Sequence, residues 1–272
     1  MYCFFGHHRS GSTYVKTILE TLCIHQGLTT ATIHREEDLE GLASKDVLSL
    51  TNASLSILNK IEYSRGFHVI RDPRDIIVSS YFSHRYSHKT DVWKELINHM
   101  AFLETLDFNE GLTHEISICR KQQFEEMYTW PYDNPDVLEI KFENLIKDPE
   151  AVWIDILSHI GMKIGDDSLL SKIILLHNRI INSISKRTSL DLKRKMYVKN
   201  NLSQKQIQTT LDNYNFEKLA GNPKGIENIQ NHYRKGVPGD WVNYFTDEHK
   251  EIFKKQWGEL LIHLGYEQDT NW

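Results

Sequence analysis

The chain has 272 residues, of which 40% are hydrophobic and 25% are charged, proportions that are ordinary for a globular protein. Its net charge of −5 argues against a general nucleic-acid binder, because such proteins carry an excess of basic residues. The three cysteines, Cys3, Cys23 and Cys119, form no CxxC pair and indicate a reducing compartment without a disulfide framework. Since no signal peptide and no apolar run of membrane-spanning length are visible, we expect a cytoplasmic protein.

The N-terminal stretch predicts a strand, a tight loop and a helix. Residues 2–5 are apolar, as in a buried strand, and the loop of residues 6–11 is bounded by glycines. From Ser12 onward, apolar residues recur at helical spacing, at Val15, Ile18, Leu19 and Leu22. Such a loop can wrap an anion, because its backbone N–H groups point inward and the helix N-terminus adds a positive dipole end. We therefore expect an anion site here, to which Arg9 adds a fixed charge.

The spacing of this loop is similar to the nucleoside-triphosphate loop, G-x4-G-K-[ST]. Gly6, Gly11 and Thr13 fit the pattern, but Ser12 stands in place of the lysine. Because that lysine reaches the terminal phosphates of a triphosphate, its absence favours a phosphate cradle over ATP chemistry. An ordinary strand-to-helix turn is the alternative for this motif by itself.

Strand and helix patterns alternate along the chain. The predicted strands cover residues 2–5, 29–33, 46–50, 66–70 and 136–142. The predicted helices begin at residues 12 and 73 and cover residues 54–63, 148–160, 166–184, 203–219 and 247–264, with two more in residues 91–129 that are split near residues 109–111. This alternation predicts an α/β fold with a parallel sheet, in which ligands bind beyond the carboxyl ends of the strands. Charged loops follow Phe5 and Ile70, so we expect Arg9 and Arg71 on the same rim of the sheet.

The third charged element covers residues 234–246, with the sequence RKGVPGDWVNYFT. Two adjacent cations, Arg234 and Lys235, precede two glycines that favour turns. A loop of this kind can close over an anionic ligand, and a solvated charged turn is the alternative for the segment by itself.

Three motifs in this order resemble those of the PAPS-dependent sulfotransferases, which take sulfuryl groups from 3′-phosphoadenosine 5′-phosphosulfate (PAPS). Residues 9–13, RSGST, resemble the family's 5′-phosphosulfate loop, [KR]-S-G-T-T. Residues 71–79, RDPRDIIVS, resemble its 3′-phosphate segment, R-[ND]-P-[KR]-D-x3-S. Residues 234–246 resemble the C-terminal segment that covers the cofactor. Since residues 142–149, FENLIKDP, are also similar to the family, the resemblance implies one sulfotransferase domain over residues 1–272, built on a P-loop-like parallel sheet flanked by helices.

The resemblance implies sulfuryl transfer from PAPS to a hydroxyl or amine acceptor by in-line displacement, with 3′,5′-ADP as the product and without a metal. It assigns the 5′-phosphate to four residues, Ser10, Gly11, Ser12 and Thr13, and the transferring sulfuryl group to Arg9. It assigns the 3′-phosphate to Arg71 and Ser79, helped by three residues of the third motif, Arg234, Lys235 and Gly236. Beside the adenine it places Tyr14 and, in a segment similar to T-S-F, Thr188, where Leu190 replaces the aromatic residue.

The general base cannot be carried over directly. Cytosolic members of the family keep a histidine ahead of the 3′-phosphate strand, but the matching segment here, residues 46–49, contains none. Other branches use a glutamate after the first helix. We therefore expect the base among His34, Glu36 and Glu37, with Glu36 favoured, His34 next, and Asp46 as the fallback.

Several alternatives stay open at this stage. A P-loop kinase is favoured only by the spacing of Gly6 and Gly11, and a non-catalytic nucleotide-binding module is suggested by the missing histidine. The acceptor can be a small alcohol, a sugar, a lipid or a peptide. The family's dimer motif is present only in part, so the oligomeric state is left open. His84 and His88 lie one helical turn apart without an obvious acidic ligand, and we expect no metal there.

Overall fold

A computed structural model describes residues 1–39, 42, 45–88, 95–188 and 192–272, without the side chains of Glu95 and Arg194. It divides into two units. The first, here called the sheet unit, comprises Met1–Ile70 and Pro131–Asn215. The second, the helical unit, comprises Arg71–Trp130 and Phe216–Trp272.

The strands of the main sheet are β1 Tyr2–Gly6, β2 Thr30–Ile33, β3 Val47–Leu50, β4 Arg65–Ile70 and β5 Val137–Lys141. The α-helices are α1 Ser12–Gln26, α2 Leu55–Leu58, α3 Pro73–Phe82, α4 Glu95–Glu104, α5 Phe108–His114, α6 Lys121–Thr129, α7 Phe142–Lys147, α8 Pro149–His159, α9 Leu169–Thr188, α10 Lys193–Met196, α11 Gln204–Asn213, α12 Phe216–Ala220 and α13 Asp247–His263. Two π-helical turns, Ser83–Ser87 and Glu115–Cys119, and two 3₁₀ turns, Glu36–Leu39 and Asp240–Asn243, complete the helical structure. Two short strands, Ile164–Gly165 and Leu202–Ser203, pair with each other in parallel.

The main sheet is parallel throughout and has the order β2-β3-β1-β4-β5. β1 lies at its centre, where Cys3, Phe4 and Phe5 are all buried. A central parallel strand is covered on both faces and is therefore apolar throughout, which is why this run was recognisable in the sequence. The predicted α/β fold with a parallel sheet is confirmed.

The core of the sheet unit lies between one face of this sheet and its helices. Phe4 of β1 stacks on Phe67 of β4 with ring centroids 5.1 Å apart, and Trp153 of α8 meets Phe67 edge-on at 6.1 Å. The apolar stripe predicted for α1 joins this core, with Val15, Ile18, Leu19 and Leu22 all fully buried. Burial of this stripe fixes the helix behind the loop that precedes it.

The helical unit has an aromatic core of its own. Tyr81 and Phe82 of α3 pack against Phe108 of α5, and Phe82 meets Tyr244 at 5.2 Å. None of the helices in the described ranges is long and apolar enough to cross a membrane.

Several predicted helix boundaries are wrong. The break expected near residues 109–111 falls instead at residues 105–107, because Asp107 and Glu110 form a capping box that starts α5 there. The helix expected over residues 54–63 ends at Leu58, and the one expected over residues 203–219 is interrupted after Asn213. Ser203 does cap α11, as the sequence predicts. Residues 91–94 of the predicted helical stretch lie outside the described residues.

Candidate functional site

The loop between β1 and α1 reverses the chain through two left-handed residues. Arg9 has φ 62° and Gly11 has φ 80°, and Arg9 is the one described non-glycine residue with positive φ. The Ser10 N–H donates to the His7 carbonyl at 3.1 Å, which closes the turn. A Cβ on Gly11 would lie 2.3 Å from the Phe142 ring, so only glycine fits at this position. Such strained backbone is typical of ligand-binding loops.

The start of α1 has the features of an anion site. The helix has no side-chain cap and no acidic residue in its first turn. Because first-turn N–H groups have no intrahelical acceptor, the positive helix end faces the loop without a compensating carboxylate of its own. The buried Ser10 hydroxyl has no hydrogen-bond partner among the described residues. The Ser12 hydroxyl instead donates to the His7 carbonyl at 2.6 Å, so Ser12 would serve an anion through its backbone N–H.

A chain of polar groups that the sequence analysis missed, with two buried histidines and a partly exposed glutamate, supports this loop. Nε2 of His7 lies 2.8 Å from Nε2 of His68, and Nδ1 of His68 lies 2.7 Å from a carboxylate oxygen of Glu139. Burial lowers the pKa of His68 to about 3, and burial together with His68 holds the pKa of His7 well below its usual value. Both rings are therefore neutral at pH 7, and the positive charge near the loop comes from Arg9 and from α1.

The three residues proposed as bases differ in their surroundings. His34, Glu36 and Glu37 are all exposed and follow β2. Nδ1 of His34 lies 2.8 Å from the Thr51 hydroxyl, and the Thr51 carbonyl lies 3.5 Å from the Ser12 hydroxyl at the start of α1. The structure thus places His34 two contacts from the β1–α1 loop.

Glu36 and the fallback candidate Asp46 are occupied elsewhere. The Glu36 carboxylate forms an ion pair with Lys60. Asp46 precedes β3, at the opposite end of the parallel sheet from the β1–α1 loop, and accepts both the N–H and the hydroxyl of Thr29 at 2.8 and 2.7 Å. Burial raises the pKa of Asp46, but the Thr29 hydrogen bonds and Lys199 outweigh it and lower the pKa overall. Asp46 is therefore a structural residue, and the fallback assignment is wrong for a base at the loop.

The second motif opens α3 of the helical unit, and its two arginines have different roles. Nη2 of Arg71 lies 3.6 Å from Asp75. Arg74 is buried, donates to Asp72 at 2.7 Å, and lies between two indole rings, 4.1 and 4.5 Å from the centroids of Trp241 and Trp272. Arg74 therefore has a structural role, and Arg71 is the arginine of this motif that can serve a ligand.

Asp75 joins the second motif to the third. Its buried carboxylate accepts the N–H groups of Gly239 at 2.7 Å and Trp241 at 3.1 Å. Burial raises the pKa of Asp75, although Arg71 and these N–H groups act against it. The helical unit thus brings together the Arg71 segment and the segment that starts at Arg234, and we call this contact the Asp75 clasp.

Arg234 lies in a dense set of contacts. Its guanidinium donates to Asp240 at 2.7 Å and to the Tyr244 hydroxyl at 2.8 Å, pairs with Glu227, and stacks 4.5 Å above the Phe82 ring. A phosphate bound here would share Arg234 with these carboxylates.

The neighbours of Arg234 complete the third motif. Lys235 pairs with the other Asp240 oxygen at 2.6 Å. Gly236 has φ 69°, and a Cβ there would lie 2.4 Å from the Phe216 ring, so the turn requires glycine. Ser79 is buried on α3.

The residues assigned to adenine lie in the sheet unit. Tyr14 is half-buried in the first turn of α1. Thr188 ends α9 and its hydroxyl donates to the Ile184 carbonyl at 2.9 Å, whereas Leu190 lies outside the described residues. The roles of these residues, and the shared rim expected for Arg9 and Arg71, stay predictions.

Comparisons with known proteins agree on one family. The sulfotransferase domain model matches residues 5–265. Sulfotransferase 2A6 of Mus musculus is 23% identical over 201 residues, which cover 73% of this chain and 57% of that protein. A flavonol sulfotransferase-like protein of Flaveria bidentis is 29% identical over 211 residues, 74% of this chain and 55% of that protein. The chain thus spans little more than half the length of these curated relatives.

Among solved structures, mouse sulfotransferase SULT7A1 complexed with PAP is similar with a TM-score of 0.59 and 17% identity, over 96% of this chain and 84% of that one. At this identity the likeness shows a shared fold.

Proposed function

Because the chain belongs to the sulfotransferase family, we propose that it transfers a sulfuryl group from PAPS to a hydroxyl or amine acceptor and releases 3′,5′-ADP. The observation that carries this proposal is the Asp75 clasp, which unites Arg71 with the segment that starts at Arg234. A donor with two phosphate groups needs two anion sites, and we assign one of them to the β1–α1 loop and the other to the Arg71 and Arg234 segments. The solved mouse sulfotransferase is a complex with PAP, which is 3′,5′-ADP, and this supports the same choice of nucleotide.

The residues of the loop suit the electrostatics of the transfer. When bound, PAPS supplies a sulfuryl group whose bridging oxygen gains negative charge as its bond to sulfur breaks. We assign Arg9 and the N-terminal N–H groups of α1 to the stabilisation of that charge, the kind of effect that dominates such transfers. Because His7 and His68 are neutral, they add no charge and serve to hold the loop in its shape.

The acceptor must lose a proton as its oxygen or nitrogen attacks sulfur, and a base in reach of that proton accelerates this step by about 10²–10⁴-fold. We assign this role to His34, because its contact with Thr51 connects it to the start of α1. Glu36, which the sequence analysis favoured, is the second choice because it is paired with Lys60. The metal-free chemistry implied by the resemblance is also part of this proposal.

Two measurements separate this proposal from its alternatives. A thermal-shift comparison of 3′,5′-ADP with ATP plus magnesium distinguishes the nucleotide, because a ligand that binds the folded state raises the melting temperature by mass action. We expect stabilisation by 3′,5′-ADP, whereas preferential stabilisation by ATP would favour the kinase.

Turnover of sulfur-labelled PAPS, screened over alcohols, sugars, lipids and peptides, distinguishes an enzyme from a binding module. The control is Arg9→Ala, which should still bind 3′,5′-ADP but lose transfer. Tight 3′,5′-ADP binding without turnover of any acceptor class would favour the module.

A further inference from the structure

Apart from the three motifs, the helical unit contains a cluster of histidine, cysteine and carboxylate side chains. His99 lies on α4, His114 ends α5, and Cys119 ends the π-turn Glu115–Cys119. One ligand atom from each of the three lies within 4.8 Å of the others. The Cys119 sulfur is 3.4 Å from Nε2 and 3.8 Å from Nδ1 of His99. A nitrogen and a sulfur bound to one tetrahedral zinc ion are about 3.6 Å apart, so the spacing fits a metal.

The π-turn explains why His114 and Cys119 meet. They are five residues apart, and in an α-helix five residues would turn their side chains about 140° away from each other. A π-turn, with i→i+5 hydrogen bonds, brings such residues close to the same face. Single π-turns of this kind are frequent at functional sites. The local backbone is thus shaped to bring both side chains towards His99.

Glu115 sets the orientation of His99. One of its carboxylate oxygens lies 2.9 Å from Nε2 of His99 and 2.7 Å from Nδ1 of His84. Both rings donate N–H to this oxygen, which leaves Nδ1 of His99 as an acceptor that can bind a metal. A carboxylate behind a ligand histidine is the usual outer partner in metal sites. The sequence places no acid beside His84, but the fold brings Glu115 to it.

We propose that His99, His114 and Cys119 bind a zinc ion, with Glu115 as a positioning residue for His99. Imidazole nitrogen and thiolate sulfur are the ligands that zinc prefers. Three protein ligands leave one tetrahedral position for water or another group. All three ligand side chains are partly exposed, so the ion can enter from solvent.

The other oxygen of the Glu115 carboxylate faces Arg120. The second Glu115 oxygen is buried without a hydrogen bond among the described residues, and the nearest cation is Nε of Arg120 at 3.8 Å. Zinc binds cysteine as the thiolate, so binding at Cys119 must displace the thiol proton. Zinc affinity should therefore increase with pH.

Cobalt titration of the chelator-treated full chain tests this proposal, because Co²⁺ bound to thiolate and imidazole is coloured. We expect one equivalent of Co²⁺ to give tetrahedral d–d bands and a thiolate charge-transfer band, and one equivalent of Zn²⁺ to displace both. Cys119→Ser should lose the charge-transfer band, and His114→Ala should lose the d–d bands. Cys23→Ala and His159→Ala, which change residues of the sheet unit, are the matched controls and should bind Co²⁺ like the wild type.

Zinc affinity, measured by competition with a chromophoric chelator, tests the role of Glu115. Loss of an outer partner typically weakens metal binding by about 10–100-fold, and we expect this of the isosteric Glu115→Gln variant. Zinc should also raise the melting temperature of the wild type but not of Cys119→Ser, with folding of each variant checked by circular dichroism.

Absence of the charge-transfer band from the wild type, or equal zinc affinity of the wild type and Cys119→Ser, would overturn the site. Unchanged affinity in Glu115→Gln would remove Glu115 from its role. None of these readouts depends on sulfuryl transfer.

Discussion

Replacement of Arg74 by Met tests the division of roles between the two arginines of the second motif. The substitution retains an apolar stem between Trp241 and Trp272 but removes the guanidinium that donates to Asp72 and, at 2.6 Å, to Glu267. Asp72 is buried, and removing one partner of a buried ion pair costs about 3–5 kcal/mol. Glu267 is partly exposed and adds little. We therefore expect the free energy of unfolding to fall by about 3–5 kcal/mol.

The assay is urea denaturation followed by tryptophan fluorescence and circular dichroism, with Arg71→Ala as the matched control. Arg71 pairs with Asp75 at the longer distance of 3.6 Å and is more exposed than Arg74, so its removal should lower the free energy of unfolding by less. If Arg74→Met is as stable as the wild type, or if Arg71→Ala is the more destabilised variant, the assignment of Arg74 to the scaffold is refuted.

Three further predictions concern the clasp, the buried histidines and the base. Asp75→Asn replaces one of the two carboxylate oxygens, which accept the N–H groups of Gly239 and Trp241, by an amide donor. Loss of one charge-assisted hydrogen bond should weaken 3′,5′-ADP binding about tenfold or more, as measured by calorimetry. Burial lowers the pKa of His68 from 6.5 to about 3 on folding, so the stability that neutral His68 contributes is complete above pH 6.5 and is lost as the pH falls towards 3. From this residue alone, the free energy of unfolding at pH 5 should be about 2 kcal/mol below its value at pH 7. His34→Ala should lower kcat by about 10²-fold or more, whereas Glu36→Gln should change it only a few-fold.

Each of these three predictions has a control that separates the proposed cause from another one. Asp75→Asn should bind 5′-AMP nearly as the wild type does, and an equal loss for both nucleotides would indicate general unfolding. In His68→Gln the pH dependence of stability should be shallower, and an unchanged slope would assign it to other groups. If His34→Ala keeps the wild-type rate and pH profile while Glu36→Gln loses both, the base is Glu36.

The sheet and its loops were largely predictable from the sequence. Strands such as β1 and β4 are buried on both faces, so β1 appears as a continuous apolar run and β4 as an apolar run interrupted only by His68. Helix starts were recognised where a cap or a proline marks them, as at Ser203 and Pro149. The start of α5 was missed although Asp107 and Glu110, three residues apart, form a local capping pattern. The end of α2 at Leu58 was also missed.

The parts of the site that depend on long-range contacts were not predictable. The motif singles out Arg71 by position, but the structural role of Arg74 depends on the indole rings of residues far along the chain. The same holds for Glu115 beside His84, and for the His7–His68–Glu139 chain, whose members come from separate segments. No periodicity or spacing in the sequence signals such pairings.

Recognition of the 3′-phosphate is the most direct test of the proposed donor, and calorimetry of wild-type and Arg71→Ala protein with 3′,5′-ADP and 5′-AMP measures it. The proposal predicts that the wild type binds 3′,5′-ADP more tightly than 5′-AMP. It also predicts that Arg71→Ala loses about 1.5–3 kcal/mol of binding free energy for 3′,5′-ADP, the usual contribution of a charge-assisted phosphate contact, and much less for 5′-AMP. Equal losses for the two nucleotides, or no preference in the wild type, would contradict the assignment of PAPS as the donor.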